Sequence, residues 1–213
     1  MKTCFLLNFF TLFTACSVLT NSEVEIVQRL STDSRNAHYT SNRPPLVPQQ
    51  FIKLPVGNIQ PEGWLKQQLL LQKNGLNGHL EEISAWLQKK DNAWLQTGGQ
   101  WGWEEVPYWL RGYGNLAYIV NDEAMLKETQ FWIDHILDSQ RTDGNFGPVH
   151  LNNGKQDFWP NMIVLWILQS YYEYTGNRQI LDFMSNYCHY LLTVPDEDFL
   201  SSYWEHSRGG DNL

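Results

Sequence analysis

The chain has 213 residues, enough for one sizeable hydrophobic core. Its 23 acidic and 15 basic side chains leave a formal net charge of -8. That balance argues against DNA, RNA or an anionic membrane surface as partner and leaves neutral ligands open.

The first 16 residues, "MKTCFLLNFFTLFTAC", carry one lysine, then an apolar run too short to span a bilayer, then small residues ahead of Cys16. This is the layout of a secretory signal, so the chain is expected to be exported, either secreted or periplasmic. Phe13-Thr14-Ala15-Cys16 resembles the lipobox of bacterial lipoproteins, which would make Cys16 a lipidation site and a lipid anchor the one route to a membrane. Phenylalanine replaces the usual leucine at the first lipobox position, so a plain cleaved signal stands beside it. Residues 17–45 are polar, lack sustained periodicity and end in a proline pair, which predicts a flexible tether. The globular part is expected over 46–213. Within it Cys188 is the sole cysteine, so no internal disulfide is expected and a buried structural thiol is the simplest reading. No zinc or EF-hand spacing occurs, so neither a metal nor another cofactor is expected within this chain.

From Leu46 onward the periodicity is helical. Pro61 suits a first helical position, followed by Trp64, Leu65, Leu69 and Leu70; Leu80, Ile83, Trp86 and Leu87 mark a second helix. The third run is a continuous stripe of Val106, Trp109, Leu110, Tyr113, Leu116, Ala117 and Val120. Asn121 and Asp122 offer an N-cap to a fourth helix with Leu126, Thr129, Ile133, Ile136 and Leu137 inward, ended by "RTDGNFGP". A fifth helix uses Ile163, Trp166, Ile167, Ser170, Tyr171 and Tyr174; after "TGN" a sixth carries Ile180, Phe183, Met184, Tyr187 and Leu191. No stretch alternates like a strand, so the class is all-α.

Pro107 and Pro160 lie 53 positions apart, each just inside a strongly apolar helix that is followed by a turn and a more polar helix. An acid and a tryptophan recur at each hairpin entry: Trp103 with Glu104 and Glu105, Asp157 with Trp159, and Trp204 with Glu205. If the apolar helices form an inner ring, the hairpins build an α/α toroid and the entries surround one mouth. Indole faces against sugar CH groups, with carboxylates bonding hydroxyls, are what carbohydrate chemistry needs. The candidate contacts are Trp103, Tyr108 and Trp159 as platforms, with Glu104, Glu105, Asp157, Glu205 and Arg208 as polar partners. Helix-dipole stabilisation of roughly 0.3–1 kcal/mol would alone account for a first-turn acid, and only recurrence at three entries raises the functional reading above it. Glu104 and Glu105 diverge by about 100° on a helix and cannot form a pair by themselves. Trp109 and Trp166 fall in apolar stripes and are expected in the core. His150 and His206, in loops near entries, are better ligand candidates than the helical histidines.

The segments "LPVGNIQPEGWLKQQL", "WEEVPYWLRGYGNLAYIVND", "WIDHILDSQRTDGNFGP", "DFWPNMIVLWILQSYYEYTGN" and "RGGDNL" together resemble the catalytic domain of the β-L-arabinofuranosidase family, glycoside hydrolase family 127. The resemblance implies an (α/α)6 barrel and hydrolysis of terminal sugars on plant-type glycans. It also implies a zinc-bound cysteine nucleophile and a general-acid glutamate that lie farther along than residue 213, so zinc belongs to a full-length form and the catalytic residues are not assigned here. Members also carry a stretch like His-Glu-Leu-Tyr-Cys-Ala-Gly-His at the fifth-helix entry, where this chain has "QDFWPNMI". The sugar is therefore not fixed as L-arabinofuranose. About half of a six-hairpin ring is expected, with low or no activity alone. Two other readings stay open: an unsaturated-uronyl hydrolase or lyase on the same toroid, and a glycan-binding surface lipoprotein without catalysis.

Overall fold

The computed structural model describes residues 35–149 and 156–212. Seven α-helices occur among them: α1 (Gly63–Asn74), α2 (Leu76–Ile83), α3 (Glu105–Val120), α4 (Glu123–Asp138), α5 (Trp159–Thr175), α6 (Gln179–Leu191) and α7 (Tyr203–Arg208), with a 3-10 turn over Gly209–Asn212. The described residues contain no strand, only two isolated bridges. The all-α class stands.

Helices α3 and α5 lie side by side, with α4 against α3 and α6 against α5, so two hairpins meet through their apolar members. The α3 stripe is buried from Val106 to Ala117 because its apolar residues recur every three or four positions. Asn121 closes α3 in the left-handed conformation, φ 51°, and Asp122 caps α4 by accepting from the Met125 N–H at 3.1 Å. Pro160 sits in the first turn of α5 and Gly176, φ 68°, ends it. The main core joins Trp109, Trp132, Phe146 and Tyr187 to the aliphatic residues of α3–α6. Trp132 meets Trp109 edge-on at 6.1 Å, and its N–H donates to Glu128, so a fully buried indole leaves no polar atom unpaired. A second, smaller core of Phe158, Trp159, Met162 and Ile163, covered by Trp103, Val194, Phe199 and Leu200, underlies the α3 and α5 entries.

Several expectations need correction. Helix α1 begins at Gly63, two residues after Pro61, and neither α1 nor α2 buries any residue. Trp64 is 77% exposed and Ile83 71%, whereas Leu87, 2% exposed, lies in the loop beyond α2. Trp109 is buried as expected, but Trp166 is 40% exposed, with the Arg111 guanidinium 4.2 Å above its ring. Helix α5 is apolar nearly all round, so periodicity alone does not single out its open face. Cys188 is exposed, because it follows Tyr187 by one position and turns about 100° away from the stripe. The short α7 had no periodic signal.

Within the stretch expected as tether, His38 and Tyr39 pack against α5. The Tyr39 hydroxyl donates to Glu173 and accepts from Gln169, and His38 packs edge-on against Tyr172 at 5.0 Å. Glu173 also takes Lys53 at 2.6 Å and the Val56 N–H at 2.7 Å. The signal, Cys16 and tether residues 17–34 lie outside the described residues.

Candidate functional site

The loop before α3 is set by Asn92, which is fully buried. Its amide donates to the Trp86 and Gln88 carbonyls and accepts from the Trp94 N–H. The Trp94 indole then donates to the Trp103 carbonyl at 3.0 Å, fixing Trp103 at the α3 entry. Gly102, φ 79°, makes the close approach possible: a Cβ there would sit 2.4 Å from the Trp86 carbonyl oxygen.

At the α5 entry Asp157 accepts the Trp159 N–H at 2.9 Å. The Trp159 indole donates across to Glu104 at 3.0 Å, tying the α5 entry to the α3 entry. Helix α7 closes the third side through a capping box in which the Ser202 hydroxyl accepts from the Glu205 N–H and the Glu205 carboxylate from the Ser202 N–H. The same Glu205 carboxylate accepts the Phe158 N–H at 2.6 Å, so one buried side chain joins α7 to α5.

These elements enclose a cleft of about 380 Å³ walled by Trp103 and Glu104, by Asp157 and Trp159, and by Ser202, Trp204 and Arg208. Arg208 donates to the Tyr108 hydroxyl at 2.7 Å and lies 4.2 Å over the Trp159 ring and 5.5 Å from Trp204. Burial, ahead of the Glu205 and Glu104 charges and against the Trp159 N–H, pushes the Asp157 carboxyl up to about 6.

Of the residues singled out from sequence, Trp103, Glu104, Asp157, Trp159, Trp204 and Arg208 line this cleft. Tyr108 is at its edge, 40% exposed, with its ring 5.8 Å from Trp159. Trp159 is not an open platform: it is 3% exposed, because Arg208 covers one face and the small core holds the rest. Glu105 does not line the cleft, and its Oε2 is buried without a hydrogen-bond partner. The one-position offset turns it away from Glu104. Glu205 sits behind the wall, 1% exposed, so it does not reach a ligand directly. His206 is exposed on α7 and outside the lining; His150 lies outside the described residues. Sequence reasoning missed Ser202, although the Ser-x-x-Glu spacing of a capping box was there to find it.

Two other hollows occur among the described residues. One of about 430 Å³ between the end of α6 and the following loop has a single carboxylate, Asp198, and no indole. Another, of about 340 Å³, is lined by residues 93–99 and 147–149 together with His135, Asp138, Ser139 and Arg141, so it holds one indole, Trp94, and one carboxylate, Asp138. Among the described residues no group of three or more His, Cys, Asp or Glu side chains could hold a metal ion. No described helix is long and apolar enough to cross a membrane.

Among the described residues the fold is helical, and its hairpin entries bring indoles and carboxylates into one cleft. The model of the family described as "Beta-L-arabinofuranosidase, GH127 catalytic domain" matches residues 23–213, and the chain belongs to that family. No curated protein and no solved structure matches the chain.

Proposed function

We propose that this chain is an exported glycoside hydrolase of the β-L-arabinofuranosidase type that acts on non-reducing terminal sugars of plant-type glycans. In this reading the hairpins form an arc of an (α/α)6 toroid, and the cleft at the inner-helix starts holds the terminal sugar. One observation carries it: Glu104, Asp157 and Arg208, from three separate entries, line a single cleft with Trp103 and Trp204. Trp204, 60% exposed, is the open indole for a sugar CH face. Glu104 and Asp157 accept ligand hydroxyls, and the guanidinium N–H groups not used by Tyr108 donate to them. In this proposal the cleft residues bind and orient the sugar, and no catalytic acid or nucleophile is assigned among them. Export, with either a cleaved signal or acylation of Cys16, belongs to the same proposal.

Calorimetry of the 213-residue chain with a panel of terminal pentofuranosides and uronosides tests it. An L-arabinofuranoside is expected to bind, and Trp204→Ala or Asp157→Ala to weaken binding at least tenfold, about 1.4 kcal/mol. Preference for uronosides would favour the unsaturated-uronyl reading, which the two lining acids, Glu104 and Asp157, oppose against Arg208 alone. Binding without sugar release by the longest expressible form would favour a glycan-binding protein.

A further inference from the structure

The hollow of about 340 Å³ between the 93–99 loop and the end of α4 is separate from the cleft and falls in the size range of small-molecule sites, roughly 300–1,000 Å³. Its wall carries acceptors and donors together. The His135 Nδ1 lies 2.8 Å from the Phe131 carbonyl oxygen. A carbonyl only accepts, so Nδ1 holds the ring proton and the neutral imidazole offers Nε2 as an acceptor. Asp138, on the same face of α4, adds an exposed carboxylate. Arg141 is the donor: one of its N–H groups is held by the Gly147 carbonyl at 2.9 Å, which fixes the guanidinium at the wall and leaves others to a ligand. The Ser139 hydroxyl is taken up by the frame, donating to the Ile136 carbonyl and accepting the Gly147 N–H. On the loop, Thr97 brings an exposed hydroxyl that both donates and accepts. Pro148 and Val149 add apolar surface. Trp94 is only 4% exposed, so it backs the wall and offers no open stacking face.

We propose that this hollow is a second carbohydrate-binding site, taking a neutral sugar residue of a glycan chain. Each sugar hydroxyl both donates and accepts, which suits a wall where Arg141 donates, His135 and Asp138 accept and Thr97 does either; the sugar CH groups suit the apolar surface. Charge selects against anions. With the imidazole neutral, one guanidinium stands against one carboxylate, so a phosphate or a uronate meets no net positive charge. The site rests on its own geometry and does not require the cleft to bind sugar. The two are neighbours, since Trp94 in the wall of the hollow donates at 3.0 Å to the carbonyl of Trp103 in the wall of the cleft. A glycan held in the hollow is thereby kept close to the cleft, which raises its local concentration there.

NMR titration of the 213-residue chain with neutral tetrasaccharides of xylose, glucose and L-arabinose is the test, read at the His135 ring C–H and the Thr97 amide. At least one of these sugars is expected to shift both resonances along a single saturation curve. Thr97→Val combined with Asp138→Ala alters two exposed side chains, so the fold is expected to persist while affinity falls about tenfold. Trp204→Ala, in the cleft, is expected to leave that curve unchanged. No response of either resonance to any of the three sugars, up to their solubility limits, overturns the proposal whether or not the double variant folds. So does undiminished affinity in the folded double variant. Tighter binding of tetragalacturonate or inorganic phosphate at the same resonances would overturn the assignment to a neutral sugar. A response lost in Trp204→Ala would return the sugar to the cleft and overturn the second site. A response kept in that variant, with no shift of the cleft indoles in the unmodified protein, would keep the second site and remove the reading of the cleft.

Discussion

At the scale of single residues, the cleft is governed by where charge is placed relative to water. Asp157 is half-buried beside Glu205 and Glu104, and its carboxyl is raised from 3.8 to about 6. The folded state therefore binds more protons than the unfolded chain between those values. The group costs nothing below about pH 4, and its destabilising effect grows as pH rises and is complete above about pH 6. Asp157→Asn keeps an oxygen for the Trp159 N–H and removes the charge. The variant is expected to gain stability over the unmodified protein at pH 7.5 but not at pH 4, by roughly 1 kcal/mol after solvent screening, or about 2–4 °C. Thermal melts at both pH values check it; a gain that is the same at both would remove the charge explanation. Arg208 shows the opposite use of charge. Stacked on Trp159 and bonded to Tyr108, it converts an indole that sequence alone offers as a platform into part of the wall.

At the scale of elements, burial is uneven. Helix α3 buries nine of its 16 residues and α5 twelve of 17, whereas α1 and α2 bury none. Local opening follows the amount of packing lost, so amide exchange in α1 and α2 is expected to be at least roughly a hundredfold faster than in the middle of α3 and α5. Hydrogen-exchange mass spectrometry reads this directly, and equal protection would contradict it. The segment from Tyr39 to Val56 is held to α5 chiefly by one buried carboxylate, Glu173, with Gln169 adding a bond to Tyr39. Burial raises the Glu173 carboxyl, but the bonds from Lys53, Tyr39 and the Val56 N–H outweigh it and hold the group below its ordinary 4.5. Its contribution is present above about pH 4.5 and is lost as pH falls through the lowered value. Glu173→Ala is expected to cost about 2–4 kcal/mol in denaturant unfolding and to open residues 35–56 to protease at neutral pH. Unchanged cleavage would show that the anchor lies elsewhere. The α3–α6 hairpins were legible from spacing because a helix buried on one side must repeat its apolar residues on one face. The docking of His38 and Tyr39 was not, since Tyr39 and Glu173 are 134 positions apart and neither belongs to a periodic pattern.

Across the whole molecule, recurrence made the cleft legible. An acid and an indole at each hairpin entry were visible as chemistry in the sequence, and the meeting of α3 with α5 gathers them in space. Which side chain fills which place was not legible, because it depends on α7, a six-residue helix fixed by Ser202 and Glu205 rather than by an apolar stripe. The family match agrees with the helical architecture, and the proposal assigns the sugar to the cleft at the hairpin entries. The central claim is that residues from three entries contact one sugar. Indole N–H resonances, assigned by single Trp→Phe substitutions and followed during titration with a terminal L-arabinofuranoside, test it most directly. The account predicts that Trp103, Trp159 and Trp204 shift together with one saturation curve while Trp64 and Trp86 stay fixed; shifts confined to Trp64 and Trp86, or none at saturating sugar, would contradict it.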